Sequence, residues 1–553
     1  MSDARAIDAR VNRVQHAATL REPRSAAESA LLEAWRAARI GRRDLLRHAA
    51  LLGMTAPFAA CSRAPAAGNS DLITVGMPVP AGLIDPLTVG DTGGVCLLGQ
   101  CGEYLAVSDP DLRLRPQLAL GWSPNEDGSV WTFKIRPGVR FHDGRTLTAH
   151  DVAATMNRLA DPANGSTALS AFAGALSKGG TRAIDEGTVE FRLDAPNGTF
   201  PYLVSSDNFN AIILPAAYDG GYERDFNGTG PFRLERYVPK ARASFVRNID
   251  YWGAKTLPER VLFSFYDSIQ AQVLAMQGGQ LDVLLHVPVQ GGQGLLVDPR
   301  LNIVALPSSA HSQVHMRTDR GRFADKRVRR AAALALNREN LVRGMFRGRA
   351  ALGNDSPFAR LFPATDPDVP QRHLDLTAAK ELMAAAGVPN GFQATLTTER
   401  YQELPDYAVV IQNALRKIGI ELTLNVEDQS AYYGRAVFGS SDWLDSQMGI
   451  EDYGHRGVPN TLLTASLGSR GPFNAAHFNN REYDELAASY IAALDISTQR
   501  AYAGRIQRLL LEETPVIFAY FYDWLSVTAK RLSGVRPGAN GQLNLAEAHR
   551  SAG

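Results

Sequence analysis

Cysteine is scarce in this sequence, and so is any excess of one charge. The 553 residues include only 3 cysteines, which excludes a small scaffold stapled by disulfides. Lysine and arginine, 58 together, almost balance 57 aspartates and glutamates, so the formal net charge is only +1. Because nucleic-acid-binding domains carry a clear basic excess, we expect no nucleic acid partner.

Long apolar runs and catalytic motifs are also missing. The modestly apolar stretch 48–60 is too short and too weak to span a membrane permanently. The sequence contains no phosphate-binding loop, no G-x-S-x-G nucleophile elbow and no H-E-x-x-H zinc motif. We therefore expect no catalytic residue, cofactor or metal. His311 and His315 are weak metal candidates that we expect on a strand, half exposed and without an acidic helper nearby.

The most informative stretch that is present covers residues 115–162. Trp131, Phe133 and Ile135 alternate with polar or smaller residues and predict a strand with one apolar face. Thr148 then predicts the N-cap of a helix starting near residue 149, with Asp151 in its first turn. The order strand, turn, capped helix is therefore predicted from the residues themselves.

The same stretch resembles the signature of the extracytoplasmic solute-binding proteins of family 5, the peptide, nickel and opine receptors of ABC importers. Further blocks with this resemblance lie at 228–234, 247–253, 323–340, 378–392, 411–420 and 513–517, so it covers roughly residues 71–550. The resemblance implies a class II periplasmic binding protein fold of the α/β class. Two α/β lobes would enclose a cleft, and a small third domain would be inserted.

The family architecture implies the following domains. Lobe I would comprise 72–107, 228–305 and 530–553, the inserted domain 108–227, and lobe II 306–529. From the residues we expect helices over 328–341, 376–386 and 407–417, and a strand over 422–426. The aromatic run 518–524 predicts a core strand of lobe II.

The N-terminal residues predict export. Residues 1–60 form a signal segment with an extension, in which Arg42 and Arg43 resemble a twin-arginine signal, and 61–71 form a linker. Cys61 follows small residues as in lipoproteins, although Phe58 stands where that pattern prefers Leu. An ordinary cleavage site at 64–66 is the alternative. We expect a periplasmic monomer, with lipid anchoring at Cys61 left open.

Cys96 and Cys101 are the other two cysteines. In an oxidising compartment they could form a short-loop disulfide if Gly99 breaks the local helix. The alternative is a pair of free, buried thiols.

The resemblance also implies where the solute binds. Residues 442–459 predict a strand ending at Gly449 and opening into a polar loop, and loops at strand ends commonly hold ligands. In peptide-binding relatives an acidic residue here pairs with the ligand ammonium, and its match is Asp452, beside Tyr453. His455 and Arg456 would favour a carboxylate or phosphate.

Other readings of these residues stay open. Asp452 and Arg456 could pair with each other and only shape the loop. Arg317 is a weaker ligand candidate, Asp85 is expected to stabilise its own turn, and Trp443 is expected in the core.

The resemblance implies a solute-binding protein of an ABC importer that captures an oligopeptide or peptide-like solute and delivers it to a membrane permease. Alternatives within the family are a nickel-chelate, haem, opine or sugar-phosphate receptor. A periplasmic enzyme or chaperone is the alternative from another class.

Overall fold

The computed structural model describes residues 72–434 and 437–550. All of them lie in the second of the two units into which the chain divides, Asp71–Gly553. The predicted signal segment 1–60 with Arg42 and Arg43, the linker 61–71 and Cys61 lie outside the described residues.

Lobe I is built on a seven-stranded mixed sheet. At its centre Leu72–Pro78 runs parallel to Arg260–Tyr266, with Val75 opposite Phe263. In spatial order the strands are Leu301–Leu306, Trp524–Ala529, Val283–Leu284, Leu72–Pro78, Arg260–Tyr266, Arg242–Arg247 and Phe232–Val238. Alternate residues of Arg260–Tyr266 are buried, as expected for a sheet with one face on the core.

The strand Trp524–Ala529 corrects the expected boundary of lobe II, which placed residues up to 529 in that lobe. It pairs antiparallel with Leu301–Leu306, so that Trp524 lies opposite Leu306 in the sheet of lobe I. The aromatic run is accordingly divided among three strands, Val516–Phe518, Tyr520–Tyr522 and Trp524–Ala529. Residues 307–310 and 519–523 therefore carry the chain between the two large sheets, side by side, since Tyr522 N donates to Ala310 O at 3.0 Å.

A four-stranded antiparallel sheet lies within residues 119–192, in the segment expected to be inserted. Its order is Ala119–Pro124, Val130–Ile135, Thr188–Arg192 and Thr181–Asp185. Trp131, Phe133 and Ile135 are buried, as their alternation predicted. The helix Ala149–Leu159 starts where predicted, and Thr148 N donates to the Asp151 carboxylate at 2.8 Å.

Lobe II is built on a five-stranded sheet. Its order is Ile420–Glu427, Phe392–Glu399, Met448–Tyr453, His311–Met316 and Val516–Phe518. Helices Leu376–Ala385 and Leu404–Arg416 and the strand over 422–426 lie where they were predicted. The helix predicted over 328–341 is instead two, Lys326–Leu334 and Arg338–Met345, because Asn337 caps the second by accepting from Asn340 N.

Further elements complete the described part of the chain. Its other helices of at least four residues are Thr92–Cys101, Leu169–Phe172, Phe200–Leu203, Ile269–Gln277, Gln293–Leu296, Gln429–Tyr432, Asp442–Asp445, Leu462–Ser466, Arg481–Ala492 and Ile496–Glu513. Within residues 72–434 and 437–550, four strand pairs stand apart from the larger sheets: Ala106–Ser108 with Leu114–Pro116, Ala350–Leu352 with Tyr520–Tyr522, Leu532–Ser533 with His549–Arg550, and Arg536–Pro537 with Leu543–Asn544. Single turns of 3-10 helix in the same ranges cover Pro162–Asn164, Tyr222–Arg224 and Arg322–Ala324.

The hydrophobic cores connect these sheets. Phe263 of lobe I and Phe133 of the inserted segment are fully buried in one cluster. A second cluster beneath the five-stranded sheet contains Val314 and Ile450, and it also takes in Val527 of lobe I. Of the helices in the described residues, none is both long and apolar enough to cross a membrane.

Cys96 and Cys101 do not form the disulfide that was considered. Both lie in the helix Thr92–Cys101, which Gly99 does not break, and both are buried as free thiols. At about 100° per residue, five residues turn two side chains well away from each other. Burial raises the pKa of both thiols above the ordinary value, so they remain protonated core residues.

Candidate functional site

Asp452 lies near the end of the central strand of lobe II. The strand Met448–Tyr453 does not end at Gly449 as predicted but continues to Tyr453, with Asp452 opposite Ser312. Gly449 serves close packing instead, since a Cβ there would come within 2.4 Å of His315 Cε1. The polar loop therefore begins at Gly454, and Asp452 is held by a sheet rather than by a loop.

The Asp452 carboxylate has hydrogen-bond donors but no cation. Ser312 Oγ and Tyr522 Oη both donate to Oδ1, at 3.2 Å and 3.3 Å. Within residues 72–434 and 437–550 no hydrogen bond reaches Oδ2, and no ion pair involves Asp452. Burial raises the pKa of Asp452 to about 7, and the charge of Glu399 adds to this rise.

The surroundings of Asp452 are aromatic and acidic. A small cavity there is lined by Ser312, Phe346, Tyr401, Gln402, Glu403, Leu404, Asp452, Tyr520 and Tyr522. Burial also raises the pKa of Glu399 and Glu403, and within the described residues no ion pair joins either carboxyl to a cation. Three carboxyl groups beside aromatic rings favour a cationic guest such as an ammonium group.

Arg456 lies on the loop after the strand. Ser309 Oγ fixes this loop, because it accepts from Arg456 N and donates to Arg456 O, both at 2.8 Å. The guanidinium donates to His455 O at 3.0 Å and lines a cavity together with Asp207 of the inserted segment. No ion pair joins Asp452 to Arg456 among the described residues, so the pairing that was considered is not formed there.

His455 is buried next to Arg456. Its Nδ1 accepts from Ser309 N at 3.1 Å, which ties the loop to the first residues of lobe II. Burial lowers the pKa of His455 to about 3, and the charge of Arg456 contributes. The ring is therefore neutral, and because Nδ1 accepts, its proton lies on Nε2, so that His455 would meet an anion as a neutral N–H donor rather than as a cation.

Asp207 is a cleft residue that the sequence did not reveal. It lines two neighbouring cavities, one shared with His455 and the other with Arg456. Burial raises its pKa to about 7, and its Oδ2 is buried without a hydrogen-bond partner. Only the polar run 205–208 amid apolar residues marks it, and such runs are ordinary in surface turns.

Arg317 does not belong to this site. Its guanidinium makes two 2.8 Å hydrogen bonds to Asp319 and an ion pair with Asp445, and it is only 3% exposed. It follows Met316 at the far end of the strand from Ser312, roughly 16 Å along at about 3.3 Å per residue. Its charge is therefore committed to the structure of lobe II.

His311 and His315 share the strand His311–Met316, but both are fully buried rather than half exposed. His315 Nδ1 contacts the Glu451 carboxylate, so an acidic partner is in fact present. The His311 ring stacks on Tyr453 with centroids 5.6 Å apart. In the described residues no group of three or more potential ligands could hold a metal ion.

Two other expectations agree with the structure. Asp85 accepts from Leu87 N at 2.9 Å and from the Tyr218 hydroxyl, and so stabilises its own turn. Trp443 is buried in a small core cluster with Tyr432 and Leu444.

The chain is similar to known binding proteins. Residues 113–466 match the family model of the bacterial extracellular solute-binding proteins, family 5 (middle). The glutathione-binding protein GsiB of Escherichia coli (strain K12) is 25% identical over 478 residues, covering 82% of this chain and 89% of that protein.

Solved structures share the fold. The ABC transporter substrate-binding protein CtaP from Listeria monocytogenes has a TM-score of 0.77 at 19% identity, covering 88% of this chain and 100% of that one. The periplasmic binding protein DppA from Helicobacter pylori, in complex with the peptide STSA, has a TM-score of 0.72 at 21% identity, covering 87% and 98%. These likenesses confirm the predicted class II fold.

Proposed function

The chain belongs to the bacterial extracellular solute-binding proteins of family 5, and from this membership we propose that it captures a peptide-like solute for an ABC importer. The solute would carry a free ammonium group. The chain would deliver it to a membrane permease whose ATPase is a separate protein. The glutathione-binding relative and the peptide-bound neighbour support a peptide-like class.

The observation that carries this proposal is the uncompensated carboxylate of Asp452. Its Oδ1 is held by Ser312 and Tyr522, while Oδ2 has no partner among the described residues. Asp452 is half-buried, and because a partly desolvated charge without a partner is costly, such a group is usually retained for a ligand that neutralises it. An ammonium group would do so, and Glu399 and Glu403 add to the negative potential.

Arg456 would take an anionic group of the same solute. Its guanidinium makes one hydrogen bond within the described chain, to a carbonyl, and so keeps donors for a carboxylate. Tyr453 and His455 would position this loop, since Tyr453 stacks on His311 and His455 holds Ser309. A solute with an ammonium at one end and a carboxylate beyond it matches a peptide.

The chain crossings at 307–310 and 519–523 would act as the hinge. Solute-binding proteins of two lobes sequester their ligands by hinge closure, and a few residues between rigid sheets suffice for it. Energy for transport would come from the ATPase, and we propose no catalytic role for this chain.

The remaining features of the transport role are proposals from the N-terminal sequence. Arg42 and Arg43 would direct export, and Cys61 would carry a lipid anchor if it is processed as in lipoproteins. The exported protein would act as a monomer in the periplasm.

Mass spectrometry of solute released from protein purified from the native periplasm tests the proposal. We expect a peptide-like compound with a free amino group. Incubating that compound with the protein should leave it chemically unchanged, which separates a binding protein from an enzyme. Recovery only of solutes without a cationic nitrogen, or turnover of the compound, would refute the proposal.

A further inference from the structure

One end of the seven-stranded sheet of lobe I gathers strand ends from across its width. The residues paired there are Leu72 with Arg260, Phe232 with Arg247, and Leu301 with Ala529. Since neighbouring strands lie about 4.8 Å apart, the seven strands form an end roughly 29 Å wide. We call it the Leu72 end, and it includes the adjoining chain segments 248–259, 297–300 and 530–531.

The Leu72 end exposes large apolar side chains. Ile249 and Val297 are 87% and 75% exposed, more than any other large apolar side chain among the described residues. Val297 precedes a turn in which Leu301 N donates to Asp298 O at 3.1 Å. Single exposed apolar residues are ordinary, but the two most exposed ones at the same end of one sheet indicate a surface that meets an apolar phase.

Basic side chains at the same end lack acidic partners. The side chains of Arg247 and Lys530 donate only to backbone carbonyls. Lys255 is exposed and makes no ion pair or hydrogen bond within the described part of the chain. Glu259 is the one carboxylate at this end without an ion pair among the described residues, so the unpaired charges leave a positive excess.

The paired charges add to this excess rather than cancel it. The ion pairs at the Leu72 end are Arg300 with Asp298, Arg233 with Asp250, Arg260 with Glu235, and both Arg531 and Arg550 with Asp282. Because two arginines share the single carboxylate of Asp282, this group is itself positive. The end of the sheet therefore combines exposed apolar side chains with a positive charge.

The proposed lipidation site is joined to this same end. Residues 61–71 connect Cys61 to Leu72, the first residue that the structure describes. Eleven residues reach at most roughly 40 Å, so a lipid at Cys61 would keep the Leu72 end within that distance of a membrane. Apolar side chains beside basic ones are the composition with which proteins lie on anionic bilayers.

We propose that the Leu72 end of lobe I docks on the surface of an anionic phospholipid bilayer. Ile249 and Val297 would reach between the headgroups, while Lys255 and Lys530 would pair with lipid phosphates. Docking would hold the protein beside the membrane that contains its permease. This inference goes beyond solute capture and does not require a lipid anchor, because the contacts are made by the folded chain itself.

Sedimentation with lipid vesicles tests this surface, using the exported Cys61→Ala protein so that no lipid anchor contributes. At low salt we expect it to bind vesicles of equal parts phosphatidylglycerol and phosphatidylcholine roughly fivefold or more tightly than vesicles of phosphatidylcholine alone. High salt should release it, because salt screens the charges, whereas it would not release a lipid anchor. Adding Ile249→Ser and Lys255→Glu should weaken binding to the anionic vesicles roughly tenfold or more, since an apolar and a charged contact are both lost.

Leu83→Ser with Lys380→Glu, in the same Cys61→Ala background, is the matched control. Leu83 is 73% exposed and follows the opposite end of the strand Leu72–Pro78, and Lys380 is exposed on a helix of lobe II without a partner in the described chain. The control should bind vesicles like the Cys61→Ala protein, and both sets of changes should leave the affinity for the co-purified solute unchanged.

Three results would overturn the membrane surface. They are absent binding to the anionic vesicles, equal binding to both kinds of vesicle, and anionic vesicles bound as tightly after Ile249→Ser and Lys255→Glu as before. Each would leave the proposed solute capture untouched, because that role is measured separately by the solute affinity.

Discussion

At the scale of single residues, the uncompensated charge of Asp452 is expected to lower the stability of the protein without solute. Its carboxylate is partly shielded by Tyr522 and lies near Glu399, and no described cation offsets its charge. Ionising such a group in the empty protein costs stability, which a bound ammonium would restore. We therefore expect the folded protein to be least stable when no solute is bound and Asp452 is ionised.

Replacing Asp452 should change how the stability of the empty protein depends on pH. The pKa of Asp452 is raised to about 7, whereas an unfolded aspartate ionises near pH 4. The folded state therefore binds more protons between these values. The preference of the folded state for the protonated carboxyl therefore adds its full amount to the free energy of unfolding below about pH 4. This stabilisation is lost as the pH rises through 7. At pH 8 we expect Asp452→Asn to be more stable than wild type by roughly 1–3 kcal/mol.

Urea denaturation without solute at pH 5 and pH 8 measures this effect. Asp368→Asn is the matched control, because Asp368 is exposed in the acidic turn 366–368. Its difference from wild type should be the same at both pH values. If Asp452→Asn shows the same pH dependence as wild type, or fails to fold, the carboxylate has a structural role instead.

Individual site residues were only partly predictable from the sequence. The position of Asp452 followed from the resemblance, but its partners Ser312 and Tyr522 lie 140 and 70 residues away. Contacts between residues so far apart in the sequence leave no local sequence pattern. For the same reason the sequence did not indicate that Asp207 lies in the cleft. Arg317 was a weaker ligand candidate, whereas the structure pairs it with Asp319, two residues along the chain, and with Asp445, which becomes a neighbour only when the sheet forms.

At the scale of elements, the contact between the inserted segment and lobe II depends on a glycine. Gly198 N donates to Ile491 O at 2.8 Å, at the end of the helix Arg481–Ala492. A Cβ on Gly198 would lie 1.9 Å from Ala493 O, a backbone atom that cannot turn aside. Because this contact joins the inserted segment to lobe II, we expect it to form when the lobes close and to be lost when they open.

Gly198→Ala should therefore favour the open form. We expect wild type to become more compact when it is loaded with the co-purified solute, and the variant to remain more expanded. Solute affinity should fall roughly tenfold, because closure then costs part of the binding free energy. Small-angle scattering and calorimetry with the same solute measure both effects.

Gly344→Ala provides the control for this experiment. No heavy atom lies within 4 Å of a Cβ at Gly344, which sits in the helix Arg338–Met345. This variant should compact and bind like wild type. A loaded Gly198→Ala protein with the wild-type radius of gyration and affinity would show that the contact does not govern closure.

Helices and strands were largely predictable from the sequence where the residues that define them, such as the capping residues of a helix, lie close together in the chain. Thr148 and its helix illustrate this, since the capping residues lie within four positions of one another. The predicted strand ended too early, at Gly449, because a glycine after an apolar run usually marks the end of a strand, whereas the observed strand continues to Tyr453. In the structure that glycine makes room for His315, which sequence neighbours cannot reveal.

At the scale of the whole molecule, the resemblance predicted the class II fold with lobes and cleft. It placed Trp524–Ala529 in the wrong lobe, because the partner strand Leu301–Leu306 lies more than 200 residues earlier in the chain. An almost wholly buried strand has the same sequence pattern in either sheet, so only the pairing decides its lobe.

Export is a property of the whole chain that the N-terminal residues predict. Changing Arg42 and Arg43 to Lys should leave the protein in the cytoplasm, because the twin-arginine pathway reads the paired arginines as an address. Cell fractionation and immunoblotting measure its distribution. Cys61→Ala serves as the comparison, since it should leave export intact and release the protein from membranes only if a lipid is attached. Unchanged periplasmic delivery of the Lys variant would refute the twin-arginine assignment.

The central claim is that Asp452 holds the ammonium group of a captured solute. Calorimetry with wild type and Asp452→Asn, each titrated with the co-purified solute and with its N-acetylated form, tests it most directly. In wild type, acetylation should weaken binding roughly 30-fold or more, because one partner of a desolvated charge pair is lost. Asp452→Asn should bind the free form equally weakly and respond little to acetylation. Asp452→Asn binding the free solute as tightly as wild type would contradict the account.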